Sequence, residues 1–488
     1  MNRYFSRRQT VAALGGVAAA LTVGRAAVAD RDNYDVAIIG AGLSGLNAAM
    51  ILTELGAKVV VLEADTHSGG RCLTMDRWFL TPDLGGAQIG RDYARVIDVA
   101  NRLNVRLGPG AHINAPYSFV LGGTLVPASQ WAASPLNRTV GAERSIAPHA
   151  LGGFYVEGRT TFKTLDGWLA DDASDYDISL ATWLDQLGAS EEARRIIRVS
   201  QGRPLEELSV LRMMQEATRA KIGADTVDAE RLRGKDAYER AAILSQHVVG
   251  GTSRLTDAMG ASLGERLRLR KRVVTINMTA RGCELRCADG SRLRARYTLA
   301  AVPFSVLRAI AVTPNLRGEQ ADAVVRMPYG NQSQVWLRVK SPYWEADGIE
   351  ASMWTDGAFN LIRQQIESDR SRQLISALAF SENSRKLDAM PPAERGRFAI
   401  AEIERIRPST RGQLEFVGAH SWEQSPTIRG CSHQYVPGKT LAWARVMGKP
   451  HANLHFAGEH LRTLEVGMEA AMESGERAAR EIAERLLG

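Results

Sequence analysis

The segment from Asp35 to Glu63 constrains this chain more than any other. Asp35-Val36-Ala37-Ile38-Ile39 opens on one acid and continues as a short apolar run of the kind that forms a buried parallel strand. The turn Gly40-Ala41-Gly42-Leu43-Ser44-Gly45 follows, then a helical stretch from about Leu43 to Leu55 that stops at Gly56. Lys58-Val59-Val60-Val61-Leu62-Glu63 is a second buried strand, which completes one βαβ unit. The turn fits G-x-G-x-x-G. Gly40 permits the tight turn, Gly42 lets backbone approach a pyrophosphate, and Gly45 lets helix pack closely on strand. The helix N-terminus then offers free N–H groups and a positive dipole end to phosphates. Glu63 ends the second strand, where a carboxylate accepts hydrogen bonds from ribose hydroxyls. A lone glycine motif is weak, but here strand, turn, helix, strand and acid occur in order.

The chain has 488 residues, enough for two intertwined domains and a core that encloses a bulky cofactor. Its net charge of +7 is partly local. Arg3, Arg7, Arg8 and Arg25 precede Asp30 with no acid among them, so seven less four leaves a mildly basic remainder of +3. No Lys/Arg stripe with interleaved aromatics is present, which argues against a nucleic-acid partner. Residues 1–29 read as a targeting segment. Ser6-Arg7-Arg8-Gln9-Thr10-Val11 is a twin-arginine pattern, Val11 to Val23 is a short apolar stretch, and Ala27-Val28-Ala29 is a small-residue cleavage site. The alternatives are a basic arm or a short anchor, but the stretch is too short and weakly apolar for a stable membrane span. The expectation is an exported, periplasmic protein. Cys72, Cys283, Cys287 and Cys431 are too few for a disulfide framework. Cys283 and Cys287 sit four apart on one strand face, too far to bridge. No Cys/His cluster has metal spacing.

Further along, a helix is expected from about Tyr93 to Val105, and loops with short strands from Gly108 to Gly153. Helical patterning dominates from Leu165 to about Ser245, with Ser190-Glu191-Glu192 opening one helix. Strand signals lie at Val273 to Met278, Cys283 to Cys287, Arg292 to Ala301 and Ser333 to Val339. Pro391-Pro392 opens another helix, and the last runs from about Val466 to Leu487.

Downstream of Glu63-Ala64 come Gly69-Gly70-Arg71 and Asp83-Leu84-Gly85-Gly86-Ala87-Gln88. With these segments the chain resembles the flavin-containing amine oxidase family. The resemblance implies that these glycines pass close to FAD and that Arg71 sits near its phosphates; glycine pairs permit an approach that a Cβ would block. Val248-Val249-Gly250-Gly251-Thr252, Val273 beside the adenine, and Ala301-Val302-Pro303 continue the match, and Met327-Pro328-Tyr329-Gly330 with Ser341-Pro342-Tyr343-Trp344 bracket a substrate-domain strand. The C-terminal match is the most specific: His455-Phe456-Ala457-Gly458-Glu459, then a helix opening at Gly467-Met468-Glu469. The resemblance implies that Gly458-Glu459 contacts the ribityl chain. It also implies that this helix aims its positive end at flavin N1 and the C2 carbonyl oxygen, where negative charge accumulates on reduction.

The same resemblance marks further residues. Trp422, and Gly430-Cys431 with Pro437-Gly438 beyond, align with the segment where some monoamine oxidases carry a flavin-linked cysteine; the plain alternative for Cys431 is a small apolar filler. Two departures bear on the substrate. Where the family usually places a lysine near flavin N5, this chain has Gln334, which hydrogen-bonds the same water without charge. Where monoamine oxidases flank the amine with two tyrosines, it has Ser432 and Gly467, so the aromatic cage is missing. His433, His460, Arg462 and Glu465 are further polar candidates; Arg462 either takes a substrate carboxylate or pairs with Glu465. Trp354 and Phe359 either line the substrate cavity or pack in the core.

The fold expected is α/β: a Rossmann-like FAD-binding domain, discontinuous in sequence (30–110, 245–320 and 420–488), with an inserted mixed-sheet and helical substrate domain (111–244 and 321–419). The chemistry expected is hydride transfer from a C–H beside an amine nitrogen to flavin N5, with imine hydrolysis and reoxidation by dioxygen. Gln334 and His460 are the candidate catalytic residues, and the partner is a small-molecule amine, with a homodimer as the assembly. A desaturase or dehydrogenase on the same scaffold is the first competitor and a flavin electron-transfer module the second.

Overall fold

The computed structural model describes residues 33–110, 116–160, 162–225, 229–235, 237–365 and 373–488. The expected targeting segment at 1–29 lies outside them. Two large sheets organise the rest. The first has eight strands, and its centre is the glycine-motif unit. Asn33–Ile39 lies between Val59–Leu62 and Arg292–Ala300, parallel to both. Leu267–Arg268 extends this sheet beyond Val59–Leu62. On the other side Arg292–Ala300 continues into an antiparallel hairpin with Gly282–Cys287 and Val273–Thr279, and Ala311–Thr313 closes the edge. Leu454–Phe456, from the far end of the chain, pairs in parallel with the C-terminal half of Arg292–Ala300. The central strands are buried on both faces, which is why Val36 to Ile39 and Val59 to Leu62 are continuous apolar runs.

The second sheet has seven strands in the order Leu414–Ser421, Gln332–Val339, Leu374–Phe380, Leu361–Gln365, Ser352–Thr355, Tyr117–Leu121, Thr124–Val126. The sequence reading assigned only one of these strands directly. Leu374–Phe380, LISALAF, is buried on nearly every residue, so it lacks the alternation that marks a half-exposed strand. Val335, Leu337, Ile375 and Ala377 on one face pack on the helix Pro392–Ile406 through Ala399 and Ile403. Four helices, Leu180–Gln186, Glu191–Gln201, Val210–Asp225 and Ala237–Leu244, occupy the region expected to be helical. Ser190 caps the second by accepting a hydrogen bond from the Ala193 N–H. Trp354 and Phe359 belong to the core: Trp354 packs in the helical cluster with its indole N–H on Ser200 Oγ, and Phe359 packs beneath the second sheet. Among the described residues no helix is long and apolar enough to cross a membrane.

The two ends of the described chain meet. The terminal helix Gly467–Leu487 lies against the glycine-turn helix Leu43–Glu54. A Cβ on Gly475 would sit 2.3 Å from the Ser44 carbonyl oxygen, so glycine sets the helix separation. Asn47 donates to the Met472 carbonyl at 2.9 Å, and Ser474 Oγ accepts from the Gly458 N–H at 2.9 Å. Buried Glu469 accepts from the N–H groups of Arg95 and Val96, satisfying the start of the helix Ala94–Arg102. We predict that Gly475→Ala forces these helices apart at a cost of about 1–3 kcal/mol. A lower thermal midpoint together with weaker yellow colour in the purified protein is expected. An unchanged midpoint would show that the contact has slack.

Candidate functional site

One cavity of ≈ 1160 Å³ runs along the C-terminal ends of the central strands and on to the second sheet. It exceeds the usual volume of a single small-molecule pocket, roughly 300–1,000 Å³. At one end the glycine turn forms its floor. Gly40 has φ +100°, and a Cβ there would meet the Ala301 carbonyl oxygen at 2.8 Å. A Cβ on Gly45 would fall 2.1 Å from the Gly40 carbonyl oxygen, whereas one on Gly42 meets nothing within 4 Å. Gly42 is therefore the open approach, and Leu43 and Ser44 carry the first turn of the helix beside it. Glu63 accepts from the Ala41 N–H at 2.7 Å and the Asp65 N–H at 2.8 Å. Burial raises its pKa and those two N–H groups oppose the rise. Ala64, Val273, Gly70, Gly86, Ala87 and Gln88 line the same end. Ala41 and Gly45 do not face the cavity; the first orients Glu63 and the second seats the helix on the turn.

The other end is built from both halves of the sequence. Trp422, Cys431, Gly458, Glu459, His460 and Met468 line it. Glu459 accepts from His433 Nδ1 at 3.0 Å and lies 3.5 Å from the Arg71 guanidinium, which itself donates to the Cys431 carbonyl at 2.7 Å. Burial opposes charge on Glu459, but His433, Arg71 and Arg462 together hold its carboxyl well below the usual range. Burial pushes His433 down to about 4, with Glu459 opposing, so it is a neutral donor at pH 7. Burial, reinforced by His433, also pushes His460 well below its ordinary value. The His460 ring packs edge-on against Phe304, its centroid 4.3 Å away, and both its nitrogens lack a protein partner. Arg462 pairs with Glu216 at 3.1 Å, and Glu465 pairs with Arg219. The alternative pairing of Arg462 with Glu465 is therefore replaced by two separate bridges to the helix Val210–Asp225.

The second sheet supplies the remaining wall. Gln334 is buried and fully oriented: its Nε2 donates to the Leu84 carbonyl at 2.9 Å and its Oε1 accepts from Trp336 Nε1 at 3.1 Å. Trp336, Leu378, Ser376, His420 and Arg363 lie on the same wall. Ser432 and Gly467 line the cavity, so no aromatic projects from either position. Gly467 has φ +59°, and a Cβ there would lie 3.1 Å from the Tyr93 hydroxyl. Tyr93 thus fills part of that space from a different element. It escaped sequence reading, as did His433 as the partner of Glu459 and Arg363 as a cavity residue. Each becomes meaningful only through a contact far away in sequence.

The family model for flavin-containing amine oxidoreductases matches residues 43–483. The chain belongs to that family. Curated relatives include a zebrafish (Danio rerio) flavin-containing amine oxidase, 26% identical over 92% of this chain and 85% of the relative. A probable flavin-containing monoamine oxidase A of Dictyostelium discoideum is 25% identical over 93% and 98%. Human flavin-containing amine oxidase B is 24% identical over 92% and 86%. Among solved structures, cyclohexylamine oxidase from Brevibacterium oxydans superposes with a TM-score of 0.74 at 23% identity, covering 93% of this chain and 99% of that one. Putrescine oxidase bound to putrescine gives 0.69 at 19% identity, with the same coverage. At these identities the structural likeness is one of fold.

The family's cofactor is FAD, and the residues present fit it. The fit rests on the open face of Gly42, the free helix start beside it, the unpartnered His460 nitrogens and a cavity that continues past them. Cys431 also lines this cavity, with its thiol on Gln332 Oε1 at 2.9 Å. Burial pushes that thiol up to about 11, with Arg71 opposing, so thiolate is scarce at pH 7. We therefore predict dissociable FAD. Acid precipitation should give a colourless pellet and a yellow supernatant; a yellow pellet that turns colourless in Cys431→Ala would establish attachment.

Proposed function

We propose that this protein is an FAD-dependent amine oxidase that removes a hydride from the carbon next to an amine nitrogen. The product imine hydrolyses in water to a carbonyl compound, and dioxygen is the terminal acceptor. Bound FAD supplies the hydride acceptor. The observation that carries the reading is the unbroken cavity from the glycine turn, past Gln334 and Ser432, to the wall of the second sheet. A flavin that served only electron transfer needs no such chamber. The matching division of labour is a cofactor half at 30–110, 245–320 and 420–488 and a substrate half at 111–244 and 321–419, supported by the separate sheets.

The side chains at the reactive end bind and orient; none is poised to take a proton near pH 7. Gln334 is uncharged, and its amide is held by Leu84 and Trp336. His433 and His460 are both kept neutral by burial, far below their ordinary range. The amine must therefore arrive deprotonated. kcat/KM is expected to rise with pH about tenfold per unit until the pKa of the free amine, near 10 for an alkylamine. Measured across amines of different basicity, the midpoint should track the substrate. A midpoint fixed near 6–7 for every amine would reveal a protein base and overturn this account.

Export by the twin-arginine route, with cleavage after Ala29 and a periplasmic location, is part of the same proposal, as is a homodimer. It is supported by Arg7-Arg8 and the A-x-A site alone. In cell fractionation, the double change Arg7→Lys, Arg8→Lys should shift the protein from the periplasmic to the cytoplasmic fraction. Equal periplasmic yield from both forms would rule out that route.

A further inference from the structure

The second sheet presents two adjacent rows of side chains to the cavity. Strand register places His420, Gln334 and Leu378 in one row, and Trp336, Ser376 and Arg363 in the next. Residues two apart along a strand share a face, so Arg363 belongs to the same wall as Gln334. Its Cα lies two strands across, about 10 Å, and two residues along, about 7 Å. Ser376, paired with both Trp336 and Arg363, carries the smallest side chain of the three. Among the described residues Arg363, which is exposed and lines the cavity, has no carboxylate partner; its neighbour is the buried Tyr117 hydroxyl.

The negative charges of the cavity are elsewhere. Among the described lining residues the carboxylates are Glu63, Asp65, Asp83 and Glu459. All are already engaged: Glu63 by Ala41 and Asp65 N–H groups, Asp65 by Thr66 and Thr427, Asp83 by Thr74 and Thr252, Glu459 by His433. None belongs to the second sheet. Arg395, the other cation on that side, is spent on Asp388 and the carbonyls of Met390 and Asp388. A second ammonium group on a substrate would therefore meet Arg363 with no counter-charge among the described residues, whereas a carboxylate would meet a planar guanidinium donor.

We propose that Arg363 seats an anionic group on the substrate, so that the preferred substrates are amines carrying a carboxylate at the far end. The proposal rests on the amine-oxidase reading and names its substrate class. The amine lies at the Gln334 and Ser432 end of the cavity and the carboxylate at the Arg363 end.

The test uses the FAD-loaded protein with straight-chain ω-aminocarboxylates from aminobutanoate to aminooctanoate, alkylamines of matching length and the matching diamines. Anaerobic bleaching of the flavin and aerobic peroxide release are the activity readouts. Binding of hexanoate, which has no amine, is read separately from its perturbation of the flavin spectrum. The best aminocarboxylate should exceed its alkylamine and diamine in kcat/KM by about tenfold or more. Arg363→Ala should erase that advantage through KM and weaken hexanoate about tenfold or more; Arg363→Lys should restore part of both. A preference for diamines or plain alkylamines, or hexanoate binding indifferent to Arg363→Ala, would overturn the proposal. If no amine bleaches the flavin while hexanoate binding still depends on Arg363, the anion seat stands and the amine reading falls.

Discussion

The contact between the glycine-turn helix and the terminal helix is the constraint on which the rest depends. Ser44 and Gly475 touch backbone to backbone, and the Asn47 amide reaches the Met472 carbonyl across 425 residues of sequence. A buried amide hydrogen bond of this kind contributes about 1 kcal/mol net, yet leaving either partner unpaired costs more. Because the terminal helix is fixed there, Ser474 can hold the Gly458 backbone and Met468 can line the cavity above the glycine turn. A site for one large cofactor is thus assembled from segments that no local folding event could bring together.

Most of the charge at the reactive end is paired before any ligand arrives. Arg71, Arg462 and Arg212 are positive, Glu459 and Glu216 negative, and His433 neutral. Pairing a buried carboxylate with a guanidinium recovers part of the desolvation cost of each. The arrangement therefore favours rigidity over proton transfer. It is consistent with chemistry in which the cofactor takes the hydride and the protein provides alignment and a fixed field.

What was legible in the sequence follows from the range of the interactions involved. The glycine turn, its two strands and Glu63 form a local unit whose spacing is set by the ligand, so residues 35–63 disclose it. The terminal segment from His455 to Glu469 was legible only through its resemblance to the flavin-containing amine oxidase family. The second sheet was largely hidden, because Leu374–Phe380 is buried on both faces and Ser352–Thr355 is four residues long. Pairings such as Arg462 with Glu216, or Tyr93 with the space at Gly467, are decided by helix packing and leave no periodic trace. Trp354 and Phe359, open in the sequence between lining and core, pack in the core.

The two ends of the cavity differ in how tightly the fold specifies them. At the cofactor end, Gly40, Gly45 and Gly475 each face backbone atoms at 2.8 Å or less from a would-be Cβ, so substitution there strains the sheet or the helix pair. On the second sheet, Gln334, Ser376, Leu378 and Arg363 project from regular strands whose pairing is made by backbone groups, and their other faces are held independently by Val335, Ile375 and Ala377 on the helix behind. A side chain on the cavity face can change without moving the strand. Gln334 and Arg363 both occupy positions of this kind. Arg363 on this wall thus lies about 12 Å (backbone to backbone) from Gln334. That separation, rather than the cofactor cradle, is where the proposed anion seat would set selectivity.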